Sequence, residues 1–77
     1  MTEAEKQTED RIFESATEIF IERGMDGARM QDIANHAGIN KALLHYYYRT
    51  KDHLFEAVFE KMATVMFSRF SLVFDEK

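Results

Sequence analysis

The 77 residues include no cysteine and no proline, and only three glycines. Without thiols, neither disulfides nor a thiolate zinc site can supplement the core, and a reducing compartment is permitted. A domain of this size buries only about 60% of the surface its unfolded chain exposes, so its core is marginal. No stretch alternates apolar and polar residues long enough to read as a strand, and no window approaches the ~20 apolar residues of a membrane span. The first eleven residues, MTEAEKQTEDR, are too polar for a signal peptide. The expectation is a soluble, cytoplasmic, all-α domain with no membrane partner.

Recognisable catalytic apparatus is also absent. There is no glycine-rich phosphate loop and no serine elbow, and His36, His45 and His53 are spaced by nine and eight residues, wrong for a helical metal pair. No enzymatic activity, cofactor or metal is expected. Asp32 and His36, one helical turn apart, read as a surface ion pair.

Another absence points toward a function. The net charge of −4 argues at first against a nucleic-acid partner, because phosphate binding is driven by lysine and arginine. The charge is uneven, however. Residues 1 to 23 carry seven acids against three bases, whereas residues 24 to 54 carry four bases (Arg29, Lys41, Arg49, Lys51) against three acids. No acid occurs between Asp32 and Asp52, a gap of nineteen residues.

Apolar periodicity places four helices. Ile12, Ala16, Ile19 and Phe20 form the stripe of an amphipathic first helix over about 9 to 23, stopped by Gly24. Met30, Ile33, Ala34 and Ala37 give a short second helix, 30 to 37, ending at Gly38. Asn40 caps a third from Lys41 to Tyr48, and Thr50 caps a fourth that starts at Lys51. Two helices joined by Gly38-Ile39-Asn40, with small Ala34 four positions before the glycine, form the pattern of a helix-turn-helix. Small Ala34 permits close crossing of the two helices, and Leu44 falls where the second must touch the first.

On a wheel of about 100° per residue, Leu44 and Tyr48 share the inward face, and Ala42 and Tyr46 point directly away from it. Leu43 and Tyr47 flank that outward face on one side and His45 on the other. Two tyrosines, a histidine, a leucine and an alanine, with Lys41 at the helix start and no carboxylate, make an unusual solvated face. It suits approach to phosphates. The alternative is a helical protein-interaction or dimerisation module whose aromatics pack on a partner.

The stretch DIANHAGINKALLHYYYRTKDHLFEAV resembles the signature of the TetR family of bacterial transcription regulators, approximately D-I-A-x-x-A-G-V-S-x-G-T-L-Y-x-Y/H-F-x-S/T-K-E-x-L. Upstream, IFESATEIFIERG is similar to the family's I-L-x-A-A-x-x-L-F-x-x-x-G, so the likeness covers about residues 9 to 62. The resemblance implies a homeodomain-like helix-turn-helix DNA-binding domain over 1–50, with helix 4 over 51–77 leading to a C-terminal domain that lies outside this chain. It further implies a ligand-responsive repressor of transcription, binding double-stranded DNA at a palindromic operator as a homodimer. Dimerisation and the small-molecule effector would belong to the C-terminal domain, with helix 4 as the transmission element. Carried over by position, DNA contacts fall on Arg29, Gln31, Asn40, Lys41, Ala42, Leu43, His45, Tyr46, Tyr47 and Lys51.

Four departures from the family's usual residues bear on the interface and the core rim. Arg29 replaces the threonine or serine that usually caps helix 2, and Ala42 replaces a glycine. His45 stands for a tyrosine that typically reaches a phosphate. Tyr48 stands for phenylalanine, so its hydroxyl needs a partner at the core rim. Residues 62 to 74, MATVMFSRFSLVF, are apolar around the whole helix, as expected of a segment that is normally buried.

Overall fold

A computed structural model describes the backbone of residues 2–75 and the side chains of residues 2–69; the end of the apolar run, side chains 70 to 74, lies outside them. The described chain is four helices: α1 (Glu3–Gly27), α2 (Met30–Ala37), α3 (Lys41–Tyr47) and α4 (Lys51–Asp75). The all-α helix-turn-helix expectation holds.

Helix α1 starts at Glu3, six residues before the expected start at about residue 9. Thr2 is its N-cap: the Thr2 hydroxyl accepts from the Glu5 amide at 3.2 Å, and the Glu5 carboxylate accepts from the Thr2 amide at 3.1 Å. This reciprocal box satisfies two otherwise orphaned donors and lets a polar turn stay helical without burial. These bonds from Thr2, backbone first, hold the Glu5 carboxyl below its ordinary value of 4.5. At the other end the helical dihedrals fail at Gly24 (φ 75°, ψ 172°), the expected stop. One more turn follows to Gly27, and half-buried Met25 packs from it onto the core.

The turn of the helix-turn-helix rests on Gly38, which adopts the left-handed conformation (φ 74°, ψ 30°). There the Ile39 amide reaches back to the Ala34 carbonyl at 3.0 Å, closing the end of α2. Asn40 Oδ1 then accepts from the Leu43 amide at 2.7 Å and opens α3. Thr50 Oγ1 does the same for α4, accepting from the His53 amide at 3.0 Å. Helix α3 ends at Tyr47, one residue earlier than expected, because Tyr48 turns to extended backbone (φ −137°).

Ile12, Ala16, Ile19 and Phe20 of α1 meet Ile33 and Ala34 of α2, Leu44 of α3, and Leu54 and Val58 of α4 in one core. Ala34 and Leu44 are fully buried at the crossing, as the motif requires. Phe20 and Phe55 join α1 to α4 edge to face, ring centroids 5.2 Å apart. The first two turns of α4 therefore share the core of the helix-turn-helix, on the far side of the boundary drawn at residue 50.

The expected Asp32–His36 ion pair does not form. Asp32 accepts from Arg23 Nη1 at 2.8 Å. His36 Nε2 donates to Glu18 at 2.8 Å, and its Nδ1 bonds the buried Ser15 hydroxyl at 2.9 Å. Both α2 side chains reach across to α1 because a pair one turn apart on a short helix gains little, whereas these bonds tie two elements and satisfy a buried hydroxyl. Beyond Val58, α4 leaves the core: Phe59, Met62, Val65, Met66 and Phe67 are exposed, as is Ile21 of α1.

Candidate nucleic-acid interface

Helix α3 is only seven residues long, and one fully buried side chain, Leu44, fixes which way it faces. With Leu44 turned to α1 and α2, Lys41, Ala42, Leu43 and Tyr46 are all exposed. Tyr46 is 74% exposed, the largest outward group on the helix. Its ring stands edge-on to Tyr47, centroids 5.2 Å apart, which limits its swing without burying it. Asn40 is exposed beside them; its oxygen is engaged in the cap, leaving the Nδ2 donors for an outside partner.

Arg29 and Gln31 are exposed at the start of α2. Arg29 occupies the N-cap position and makes no side-chain cap bond, so the departure from threonine or serine does cost the helix that bond. Gln31 Nε2 donates to Asn35 Oδ1 at 2.9 Å, one turn on, which orients its amide along the helix surface.

Tyr47 lies differently from the wheel, Lys51 is engaged within the fold, and Tyr48 reaches the expected inward place by another route. Tyr47 is half-buried and packs against the core, so it is not a free flank of the outward face. Partial burial, and then the carboxylates of Glu5 and Glu9, push its hydroxyl above the ordinary value of 10.0. A phosphate approaching that hydroxyl would meet two negative charges of α1. Tyr48 is half-buried too; burial, then Glu9, raises its hydroxyl, and its ring lies against that of His53 at 5.3 Å. It reaches the core from an extended residue rather than from the helix face the wheel assumed.

Lys51 is partly buried, and its Nζ donates to the Ala28 carbonyl at 3.0 Å. Ala28 caps the C-terminal end of α1, where carbonyls lack helical partners. The ammonium expected at a phosphate thus already bridges the α1–α2 connection and the first turn of α4. His45 is half-buried, and its Nδ1 lies 3.1 Å from the Arg49 carbonyl.

Arg49 adds to the positive balance of residues 24 to 54 but falls on an unspecified position of the family signature. Arg49 is exposed in the α3–α4 connection and, with His45 and Tyr46, lines an open concavity of about 410 Å³. The signal for it was its place directly after the tyrosine run. Among the described residues, no cluster of three His, Cys, Asp or Glu side chains could hold a metal ion. Nor is any described helix long and apolar enough to cross a membrane.

The assembled surface is a helix-turn-helix whose second helix presents a lysine, small and apolar side chains and a tyrosine, bordered by Arg29 and Arg49, with no carboxylate on α3. Comparison with known proteins agrees with it. The family model described as "Bacterial regulatory proteins, tetR family" matches residues 12–58. A transcriptional repressor of Streptomyces coelicolor, SCO4008, is 46% identical over 54 residues, which is 70% of this chain and 28% of the relative. IcaR of Staphylococcus aureus, a negative transcriptional regulator of the biofilm operon icaADBC, is 38% identical over 47 residues, 61% of this chain and 25% of its own. Among solved structures, a mutant of HlyIIR superposes with a TM-score of 0.73 at 38% identity, covering 74% of this chain and 31% of that one. The chain spans less than a third of the length of each of these relatives.

Proposed function

This chain belongs to the tetR family of bacterial regulatory proteins, and on that ground we propose that it is the DNA-binding part of a cytoplasmic transcriptional repressor without enzymatic activity. The observation that carries the reading is the outward face of α3, where Lys41, Ala42, Leu43 and Tyr46 stand exposed on a helix-turn-helix with no carboxylate between Asp32 and Asp52. A helix of that kind enters the major groove, about 12 Å wide, and reads base edges there. Lys41 supplies a donor, Ala42 and Leu43 suit thymine methyls, and Tyr46 reaches furthest. Arg29, Gln31, Asn40 and Arg49 border the face and hold the duplex by its phosphates.

Two copies on a palindromic operator complete the specificity, held as a homodimer by a C-terminal domain outside this chain. The division into a DNA-binding unit over 1–50 and a connecting helix over 51–77 gives α4 two parts: Leu54 and Val58 in the helix-turn-helix core, and an apolar second half to pack on the C-terminal domain. A small-molecule effector in that domain would act through α4, because a displacement of one end of a rigid helix moves the other.

Tyr46→Ala tests the reading. Removing a groove contact lowers affinity for cognate DNA by about 1 to 3 kcal/mol, roughly 5- to 150-fold. Folding stability, measured by denaturant unfolding, changes by no more than about 0.5 kcal/mol, since the side chain is exposed. Unchanged DNA affinity would favour the second reading, a protein-interaction module, whose motivating observation is the exposed apolar half of α4.

A further inference from the structure

The bond between His45 and Arg49 fixes more than a side-chain orientation. A backbone carbonyl only accepts hydrogen bonds, so Nδ1, 3.1 Å from the Arg49 oxygen, must carry a hydrogen. In the neutral ring Nε2 is then a bare acceptor. Against a phosphate oxygen, also an acceptor, it offers repulsion rather than a bond. Only the imidazolium presents a second N–H at Nε2, and with it a positive charge.

The surroundings suit that second state once a phosphate arrives. His45, Tyr46 and Arg49 line one open concavity at the end of α3, and these are the titratable or charged groups that form it. The guanidinium of Arg49 and an imidazolium would make charge-assisted bonds to one phosphate group, the stronger kind of hydrogen bond. The same carbonyl bond ties the Arg49 backbone, in the α3–α4 connection, to the His45 ring. Histidine is the side chain whose charge changes between about pH 5 and 8, and an opposite charge beside it favours the charged form.

We infer that His45 and Arg49 form a seat for a DNA backbone phosphate that is used only when His45 takes up a proton, so that DNA binding by this protein is proton-linked. The inference rests on the DNA-binding reading above and deepens it by assigning Arg49 and the protonation state of His45. Linkage is reciprocal: phosphate in the seat stabilises the proton, and the proton stabilises the complex.

The test is the affinity of the protein for DNA selected from a random pool, measured between pH 5.5 and 8 at constant ionic strength. The wild type loses affinity as the pH rises, approaching about tenfold per pH unit where one proton is coupled. His45→Tyr, whose hydroxyl donates throughout this range, removes the slope, and Arg49→Gln weakens binding most at low pH. His53→Gln and His36→Gln keep the slope. The proposal is overturned if His45→Tyr shows the wild-type slope, or if affinity rises with pH, which would mean a neutral Nε2 accepting from a base amine. Salt-dependent binding that is flat in pH overturns this inference alone; no salt-dependent binding at any pH overturns the DNA-binding reading with it. A readout on the unliganded wild type stands apart from any variant's folding. Imidazole nitrogen–proton correlations should show the Nδ1–H tautomer of neutral His45, and the Nε2–H tautomer would contradict the proposal.

Discussion

The Lys51 ammonium donates to the Ala28 carbonyl at 3.0 Å, at the point where the α1–α2 connection meets the first turn of α4. Lys51→Met keeps much of the aliphatic stem and removes the donor, leaving the carbonyl of buried Ala28 without that partner. The expected loss is about 1 to 2 kcal/mol of folding stability, measured by urea unfolding, because bonds to charged groups are worth more than neutral ones. No change in the unfolding midpoint would show that water replaces the ammonium. A loss of DNA affinity in a Lys51 variant therefore reports on the fold as well as on the interface, and Tyr46 is the cleaner probe. Local spacing places a side chain but not a distant partner. The position of Lys51 was evident from its motif, but its partner lies 23 residues upstream and local spacing carries no trace of it. Asp32 and His36 mislead in the opposite sense: their spacing suggests each other, while Arg23 and Glu18 on the neighbouring helix offer bonds that also fasten two elements.

At the scale of elements, caps and breaks explain most of what was legible. Asn40 and Thr50 announce α3 and α4, and Gly24 and Gly38 announce the ends of the helices before them. Gly38 is the demanding case. Its φ of 74° disfavours any side chain, although a Cβ there would meet nothing within 4 Å. Gly38→Ala should thus cost only the left-handed backbone penalty, about 1 to 2 kcal/mol, read as a lowered melting temperature with unchanged helix content. A melting temperature equal to wild type would mean that the turn can rearrange. The start of α1 was missed because its first turns are held by the Thr2–Glu5 cap, and hydrogen bonds of that kind leave no apolar period to detect. The end of α3 was missed by one residue for a related reason. Tyr48 satisfies the apolar pattern of a helix, yet it reaches the core from extended backbone, and the period cannot tell the two apart.

For the whole molecule, the surfaces divide by character. One side holds the carboxylate-free α3 face with Tyr46 and Lys41; elsewhere Ile21 and Phe59 line one apolar groove, and Met66 and Phe67 stand exposed further along α4, in a chain that spans less than a third of its relatives. The outward residues of α3 were legible because a helix with one buried leucine has only one way to face. The half-buried state of Tyr47 was not, since it depends on where the N-terminal turns of α1 lie. As proposed above, the α3 face engages the phosphates and base edges of duplex DNA. This engagement is tested most directly by the salt dependence of binding to DNA selected from a random pool, at fixed pH. Log K should fall linearly with log salt, by about 0.9 for each phosphate contacted, and the slope should be shallower by about 0.9 in Arg29→Gln. Binding that is indifferent to salt, or absent at low salt, would contradict it.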